Sequence, residues 1–305
     1  MRKVDLMRLI PADVPPDKKG KFLEILERTT NNTGRLMLFA GDQKVEHLND
    51  DFYGPGIPPE DNDPEHLFKI ASKAKISVFA TQFGLICRYA PKYKNIPYLV
   101  KINSKTNIIP YSAKDPYSQQ WLEIEDVLEF ERYSGIPIMG FGYTVYLGSE
   151  HEHSMLKEAA TIVHQAHKAG KLAVLWIYPK GKFIKDEHDP HLIAGAAGVG
   201  VCLGADFVKV KVPYKNGRFD PTLLKEATQA AGNCGVLCEG GKKIDEKEFL
   251  QELYEQIHRG GARGNGTGRN IHQRPLQEAI KMANAIYAIT CENKTLQEAL
   301  RILQK

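Results

Sequence analysis

The chain has 305 residues, 42% of them hydrophobic, and a formal net charge of +4. That supplies a large core, while the mild charge suits a small anion and is too diffuse for nucleic acid, with no basic run interleaved with aromatics. The five cysteines (Cys87, Cys202, Cys234, Cys238 and Cys291) form no CxxC pair and MRKVDLMRLIPADVPP holds no sustained apolar segment, so a cytoplasmic protein with reduced thiols and no signal peptide is expected. The longest weakly polar run, Leu192 to Ala205, is too short and glycine-rich to span a membrane.

Residues 1–34 read as an N-terminal helical extension. Pro11, Pro15 and Pro16 break its start, Phe22, Ile25 and Leu26 give helical spacing over Lys21 to Arg28, and Asn31 to Gly34 end it. From Arg35 a rhythm begins. Strands are expected at Leu36–Ala40, Ile76–Thr81, Tyr98–Ile102, Ile136–Tyr143, Leu172–Tyr178, Phe207–Val212, Gly235–Cys238 and Gly264–Thr267. Between them fall helical patterns at Pro64–Ala74, Ile124–Tyr133, Met155–Ala169, Pro190–Leu203, Pro221–Ala231, Glu246–Arg259 and Gln273–Ile289, with a short terminal helix at Leu296–Leu303. Alternating strands and helices imply βαβ units and a parallel sheet. Eight strands fit an α/β fold of the (β/α)8 TIM-barrel type, with residues 35–305 as the barrel domain. A doubly wound open sheet predicts GxGxxG after the first strand, where this chain has Gly41-Asp42-Gln43-Lys44-Val45-Glu46-His47.

In a barrel, chemistry gathers where the strands end. The first strand delivers Asp42, then Glu46 and His47, a carboxylate and imidazole able to steer protons or bind hydroxyls; Asp42 alone also fits an Asx turn. The third delivers Lys101 and Asn103, the fourth Tyr143 and Tyr146, and the fifth Trp176 and Tyr178, with Lys180 just beyond. Those aromatics also fit an ordinary core. The sixth, in GADFVKVKVP, alternates Val208, Val210 and Val212 on one face with Phe207, Lys209 and Lys211 on the other. Burial and a like-charged neighbour both lower a lysine pKa, and a neutral lysine can attack a carbonyl to form a Schiff base. An edge strand with two solvated lysines is the alternative, and alternation alone does not choose between Lys209 and Lys211. The last two strands end in Glu239-Gly240-Gly241-Lys242 and Gly266-Thr267-Gly268-Arg269, glycine-rich turns placed where this fold cradles phosphate. His151-Glu152-His153 lacks the spacing and third ligand of a metal site. Asp186 to His191 reads as a loop capping the next helix through Asp189, with Pro190 at its first position. Cys234 and Cys238 read as core thiols.

Together these motifs resemble the archaeal-type class I fructose-1,6-bisphosphate aldolases, over roughly Leu38 to Ile289. The likeness is carried by Gly41-Asp42-Gln43 with Glu46-His47, by Val100–Thr106 (VKIN-x-KT), and by Gly142–Tyr146 with Gly148-Ser149-Glu150. Trp176 with Tyr178-Pro179, Gly204-Ala205-Asp206 leading to Lys209, and Gly268-Arg269-Asn270 complete it. The resemblance implies a metal-independent Schiff-base aldolase with no cofactor, acting on a small phosphorylated sugar in glycolysis or gluconeogenesis. It implies that Lys209 forms the imine, that Tyr178 and Asp42 complete the catalytic group, and that His47, Trp176, Lys180 and Lys211 contact substrate. Gly240, Gly241, Gly268 and Arg269 would hold a phosphate. No nucleic acid or membrane partner is implied, and a homo-oligomer is. The chain departs from the usual pattern at Glu239, where serine is common, at Lys180, where arginine is common, at Lys44, and at Asn265 to Thr267. The changes at Glu239 and Lys180 keep two further readings in play: a transaldolase-type transferase on another sugar phosphate, and a non-catalytic sugar-phosphate binder.

Overall fold

The computed structural model describes residues 5–215 and 218–304. Eight parallel strands close on themselves: β1 Leu36–Ala40, β2 Val78–Gln82, β3 Tyr98–Lys101, β4 Ile138–Leu147, β5 Leu172–Pro179, β6 Phe207–Val210, β7 Gly235–Glu239 and β8 Gly264–Thr267. Each strand pairs with its sequence neighbours, and the ring shuts where Leu36 to Phe39 of β1 pair with Gly264 to Thr267 of β8. This is the (β/α)8 barrel that the alternating pattern predicts.

The strands are short, rich in β-branched and aromatic residues, and buried along nearly their whole length. On β6 the alternation works as expected. Val208 faces outward against Gly200 of the helix Pro190–Cys202, so closely that a β-carbon on Gly200 would come 2.2 Å from Val208 Cγ1. Lys209 faces into the ring beside Gly266. Asp189 caps that helix by accepting from Leu192 N–H at 2.9 Å, with Pro190 opening its first turn. Cys234 and Cys238 are buried core thiols.

Four local expectations differ. Strand β4 runs on to Leu147, and its added residues carry Tyr146 to the mouth. Strand β6 ends at Val210, so Lys211 belongs to the exit loop; a two-stranded hairpin pairing Tyr214 with Phe219 follows it. The pattern over Gln273–Ile289 is one helix, Leu276–Cys291, which starts only after Pro275, whose missing N–H cannot continue a helix from the separate short turn Arg269–His272. A helix at Phe83–Tyr89, too short and too glycine-interrupted to show a period, covers the β2–β3 crossover.

The helix Lys19–Thr30 buries Phe22, Ile25 and Leu26 and ends at Asn31 in a left-handed conformation. It touches β1 and β5, which lie on opposite sides of the ring, and so covers the N-terminal end of the barrel. Phe22 meets His167 edge-on at 5.9 Å.

Gly264, at φ +141°, starts β8 where any β-carbon would lie 1.9 Å from Leu36 O. Gly264→Ala is expected to destabilise the barrel by about 3 kcal/mol or more, read as the shift in denaturant midpoint at constant slope.

Candidate active site

The C-terminal mouth holds a cavity of about 150 Å3 lined by residues from the ends of β1, β5, β6, β7 and β8. Lys209 stands at its floor. Its register partners are Trp176 on β5 and Leu237 on β7. The side chain is 7% exposed, and Nζ lies 2.8 Å from the Tyr178 hydroxyl and 5.7 Å from the centre of the Trp176 ring. A β-carbon at Gly266 would sit 2.6 Å from both Lys209 Cδ and Cε, so the absence of a side chain there makes the lysine's channel.

Burial lowers the pKa of Lys209, with Glu239, Asp42 and Glu46 partly restoring it. Burial also pushes the Tyr178 phenol well above its ordinary value, reinforced by the charges of Glu239, Glu46 and Asp42. The resting pair is therefore a readily neutral amine beside a firmly protonated phenol. Lys211 behaves in the opposite way. Burial disfavours its charge, but Glu239 and Glu187 outweigh that and raise its pKa, with Glu187 Oε2 at 3.0 Å. The geometry thus separates the two lysines that the strand pattern leaves equivalent.

Lys101 is a third buried amine. Burial brings its pKa down to about 8, Asp42 and Glu46 opposing the fall. It donates to Thr144 Oγ1 at 2.7 Å and to Asn103 O at 2.8 Å, and lies 5.2 Å from the Trp176 ring centre. All its hydrogen-bonding capacity is spent on the barrel wall, so it supports the indole rather than offering a nucleophile. Tyr146 faces the mouth and donates to Glu46 Oε1 at 3.1 Å. Tyr143, three residues away on the same strand, has the opposite parity. It points outward and donates to Glu158 Oε2 at 2.6 Å, outside the cavity.

Asp42, Glu46 and His47 all belong to the short β1 exit, fixed by Gln82, whose amide donates to Asp42 O at 2.8 Å. Lys180 lines the cavity, and its ammonium lies 3.9 Å from the centre of the Tyr111 ring. Lys105 stacks on the same ring at 4.5 Å. Burial lowers the pKa of Lys180, with Glu46 and Glu187 opposing it. Gly240, Gly241, Gly268 and Arg269 meet at the opposite side. The Gly240 N–H is already donated to Gly266 O at 3.0 Å, so Gly240 contributes close approach rather than a donor. Arg269 Nε donates to Gly241 O at 3.0 Å, which aims the guanidinium across the cradle. Asp51, Lys105 and Tyr111 escape a reading by strand ends because they lie deep in the long exit loops.

His151 sits just before the helix Glu152–Lys168, makes no side-chain capping bond, and packs on Tyr117 at 5.1 Å. No three His, Cys, Asp or Glu side chains converge as a metal site among the described residues.

A closed barrel that sets a buried, easily neutralised amine against a phenol, with a basic glycine-rich rim, defines a Schiff-base barrel enzyme. A family profile described as DeoC/LacD family aldolase matches residues 36–274. The fructose-bisphosphate aldolase/6-deoxy-5-ketofructose 1-phosphate synthase of Methanocaldococcus jannaschii is 56% identical over 293 residues, 96% of this chain and 93% of that protein. The fructose-bisphosphate aldolase class 1 of Thermoproteus tenax is 32% identical, across 92% of this chain and 98% of its own. Among solved structures, the fructose-bisphosphate aldolase from Slackia heliotrinireducens superimposes with a TM-score of 0.94 at 52% identity, covering 97% of this chain and 93% of that one. A Schiff-base-forming fructose-1,6-bisphosphate aldolase does so with a TM-score of 0.75 at 30% identity, covering 88% of this chain and 99% of that one. The chain belongs to the DeoC/LacD family of aldolases, among the class I fructose-bisphosphate aldolases.

Gly266→Ala tests the channel. The added methyl meets only the flexible middle of Lys209, so the fold should persist while the amine leaves the phenol. Turnover of a ketose phosphate is expected to drop about 100-fold, with an unchanged circular dichroism spectrum.

Proposed function

We propose that this chain cleaves and forms fructose 1,6-bisphosphate through an imine on Lys209, releasing dihydroxyacetone phosphate and glyceraldehyde 3-phosphate. The observation that carries this reading is the 2.8 Å contact between Lys209 Nζ and the Tyr178 hydroxyl inside a cavity rimmed by Gly241, Gly268 and Arg269.

The neutral amine adds to the C2 carbonyl, and the carbinolamine loses water to give an iminium. Asp42, Glu46 and Glu239, whose charges support a cation at Lys209, stabilise that iminium electrostatically. The C4 hydroxyl then gives up its proton, the C3–C4 bond breaks, and its electron pair moves into the iminium to form an enamine. The aldehyde leaves. Protonation of the enamine at C3 and addition of water release the ketone and restore the amine.

Tyr178 is the proton carrier on this reading. Its raised pKa keeps the phenol protonated in the resting site. The iminium beside it lowers the cost of a transient phenolate, so the same group accepts the C4 hydroxyl proton. Trp176 walls the reacting carbons, His47 and Asp42 meet hydroxyls, and Arg269 with Gly241 and Gly268 takes one phosphate while Lys180 and Lys211 face the other end. A second reading, transfer of the enamine to another carbonyl acceptor, is favoured by Glu239 on the cavity wall and by the synthase activity in the name of the M. jannaschii relative. The Lys209–Tyr178 pairing argues against simple sugar-phosphate binding, which has no use for it.

No described helix is long and apolar enough to cross a membrane. A cytoplasmic setting, a place in glycolysis or gluconeogenesis, and a homo-oligomeric state are inferred from the family likeness.

Borohydride with fructose 1,6-bisphosphate should leave a stable adduct on Lys209, located by peptide mass spectrometry, and none in Lys209→Met; an adduct that survives this substitution defeats the assignment. Triose phosphates released without a second substrate separate cleavage from transfer. Tyr178→Phe should still form the adduct but cleave about 100- to 10,000-fold more slowly. Since only the deprotonated amine attacks, adduct formation should climb with pH and level off below about 10.4, the ordinary lysine value.

A further inference from the structure

We infer that Asp51 is a positioning residue for substrate binding, holding His47 and Arg269 in one linked arrangement. This inference rests on the aldolase reading above. Asp51 lies in the long loop after β1 and its side chain is 13% exposed. Its Oδ2 is 2.5 Å from His47 Nδ1, and its Oδ1 is 3.4 Å from Arg269 Nη1. The two partners line the same cavity from different loops, 222 residues apart by their numbers (269 − 47). Among the described residues, Asp51 is the only side chain bonded to both of them.

The chemistry of each contact is definite. Burial opposes charge on Asp51, but the His47 hydrogen bond and the Arg269 charge hold its carboxyl below the ordinary range, so it is ionised. An ionised carboxylate can only accept, which puts a proton on His47 Nδ1 and leaves Nε2 as the nitrogen for substrate. On the other side the carboxylate draws the Arg269 guanidinium toward the β1 exit, while Arg269 Nε is held by Gly241 O. One residue therefore sets both the tautomer of the hydroxyl-facing imidazole and the reach of the phosphate-facing guanidinium.

The loop is built to keep Asp51 there. Gln273 donates its amide to Asp51 O at 2.7 Å. The next residue, Phe52, stacks on His272 at 4.8 Å and 8°. His272 Nδ1 also lies 2.7 Å from Asp61 Oδ2, in a pair with both side chains fully buried. His66 Nε2 donates to His272 O and Arg274 O at 3.2 and 3.1 Å. The Asp51 loop is thus clamped along its length to the segment that begins with Arg269. A free surface ion pair would need none of this.

The test compares Asp51→Asn and Asp51→Glu, alone and in the Arg269→Gln background, on fructose 1,6-bisphosphate. Asp51→Asn should raise KM about tenfold or more, while saturating substrate still gives the borohydride adduct on Lys209. Asp51→Glu, which keeps the charge, should recover part of the loss. Because Asp51 and Arg269 act through one linkage, the double variant Asp51→Asn/Arg269→Gln should lose clearly less than the product of the single losses. An unchanged KM in folded Asp51→Asn, or strict multiplication of the two losses, overturns the assignment. If Asp51→Asn does not fold, the coupling is read between Asp51→Glu and Arg269→Gln with the same two outcomes. Should the wild-type chain form no adduct with any ketose phosphate, the aldolase reading fails by itself. The Asp51 linkage is then judged by stabilisation of wild type and Asp51→Asn by inorganic phosphate: a smaller shift in the variant supports it and an equal shift overturns it.

Discussion

Everything at the mouth of this barrel depends on taking one ammonium group out of water. Removing a cation from water is costly, and that cost lowers the pKa of Lys209. Gly266 supplies the room, Trp176 the wall and Tyr178 a polar partner that is itself kept neutral. The nearby carboxylates of Asp42, Glu46 and Glu239 set the balance. With more negative charge the amine would stay protonated and inert. With less, nothing would stabilise the permanent positive charge of the iminium, which has no proton to lose. The site works between these limits.

Three lysines, two buried and one half-buried, illustrate how partner geometry, rather than burial alone, assigns a role. Lys211 has a carboxylate at 3.0 Å and keeps its charge, so it suits electrostatic contact with an anion. Lys101 has its hydrogen bonds filled by Asn103 and Thr144, so it becomes a strut beneath Trp176. Among the described residues Lys209 has a single hydrogen-bond partner, a phenol, and its amine faces the cavity. Loss of solvent is common to all three, and only the third leaves an amine available for bond formation.

The barrel and the inward facing of Lys209 follow from local rules in the chain, whereas the preference for Lys209 over Lys211 comes from the family likeness. The Val208-Lys209-Val210 alternation states which residue faces in, and Gly200 and Gly266 show that each side chain has its place prepared on the facing element. Parity also corrects the pairing of Tyr143 with Tyr146: residues three apart on a strand face opposite ways, and Tyr146 is the one that reaches the cavity-lining Glu46. What stayed hidden was set by long loops. Asp51 meets Arg269 across 218 residues, and no spacing rule connects them. Tyr111, between the ammoniums of Lys105 and Lys180, belongs to a loop with no periodic pattern. The helix at Phe83–Tyr89 was missed because seven residues with a glycine at the second position give no face to detect.

The loops that escaped prediction are not loose decoration, and their hydrogen bonds explain why they can carry substrate contacts. On one side of the mouth, Asp115 accepts from Lys182 N–H at 2.7 Å and Glu150 N–H at 3.1 Å, while Ser149 donates to Pro116 O at 2.6 Å. That ties together the exits of β3, β4 and β5, and with them Lys180 and Tyr111. On the other side, Gln273, His272 and His66 tie the β1 exit to the β8 exit, and with them His47 and Arg269. The Lys209–Tyr178 pair lies between two separately braced groups of loops. Bracing paid for during folding does not have to be supplied again by binding energy, so a flexible ligand with a phosphate at each end meets cations already in position. On the proposed reading, placing the amine on a strand fixes the chemistry, and bracing the two loop groups fixes where the ends of the substrate lie.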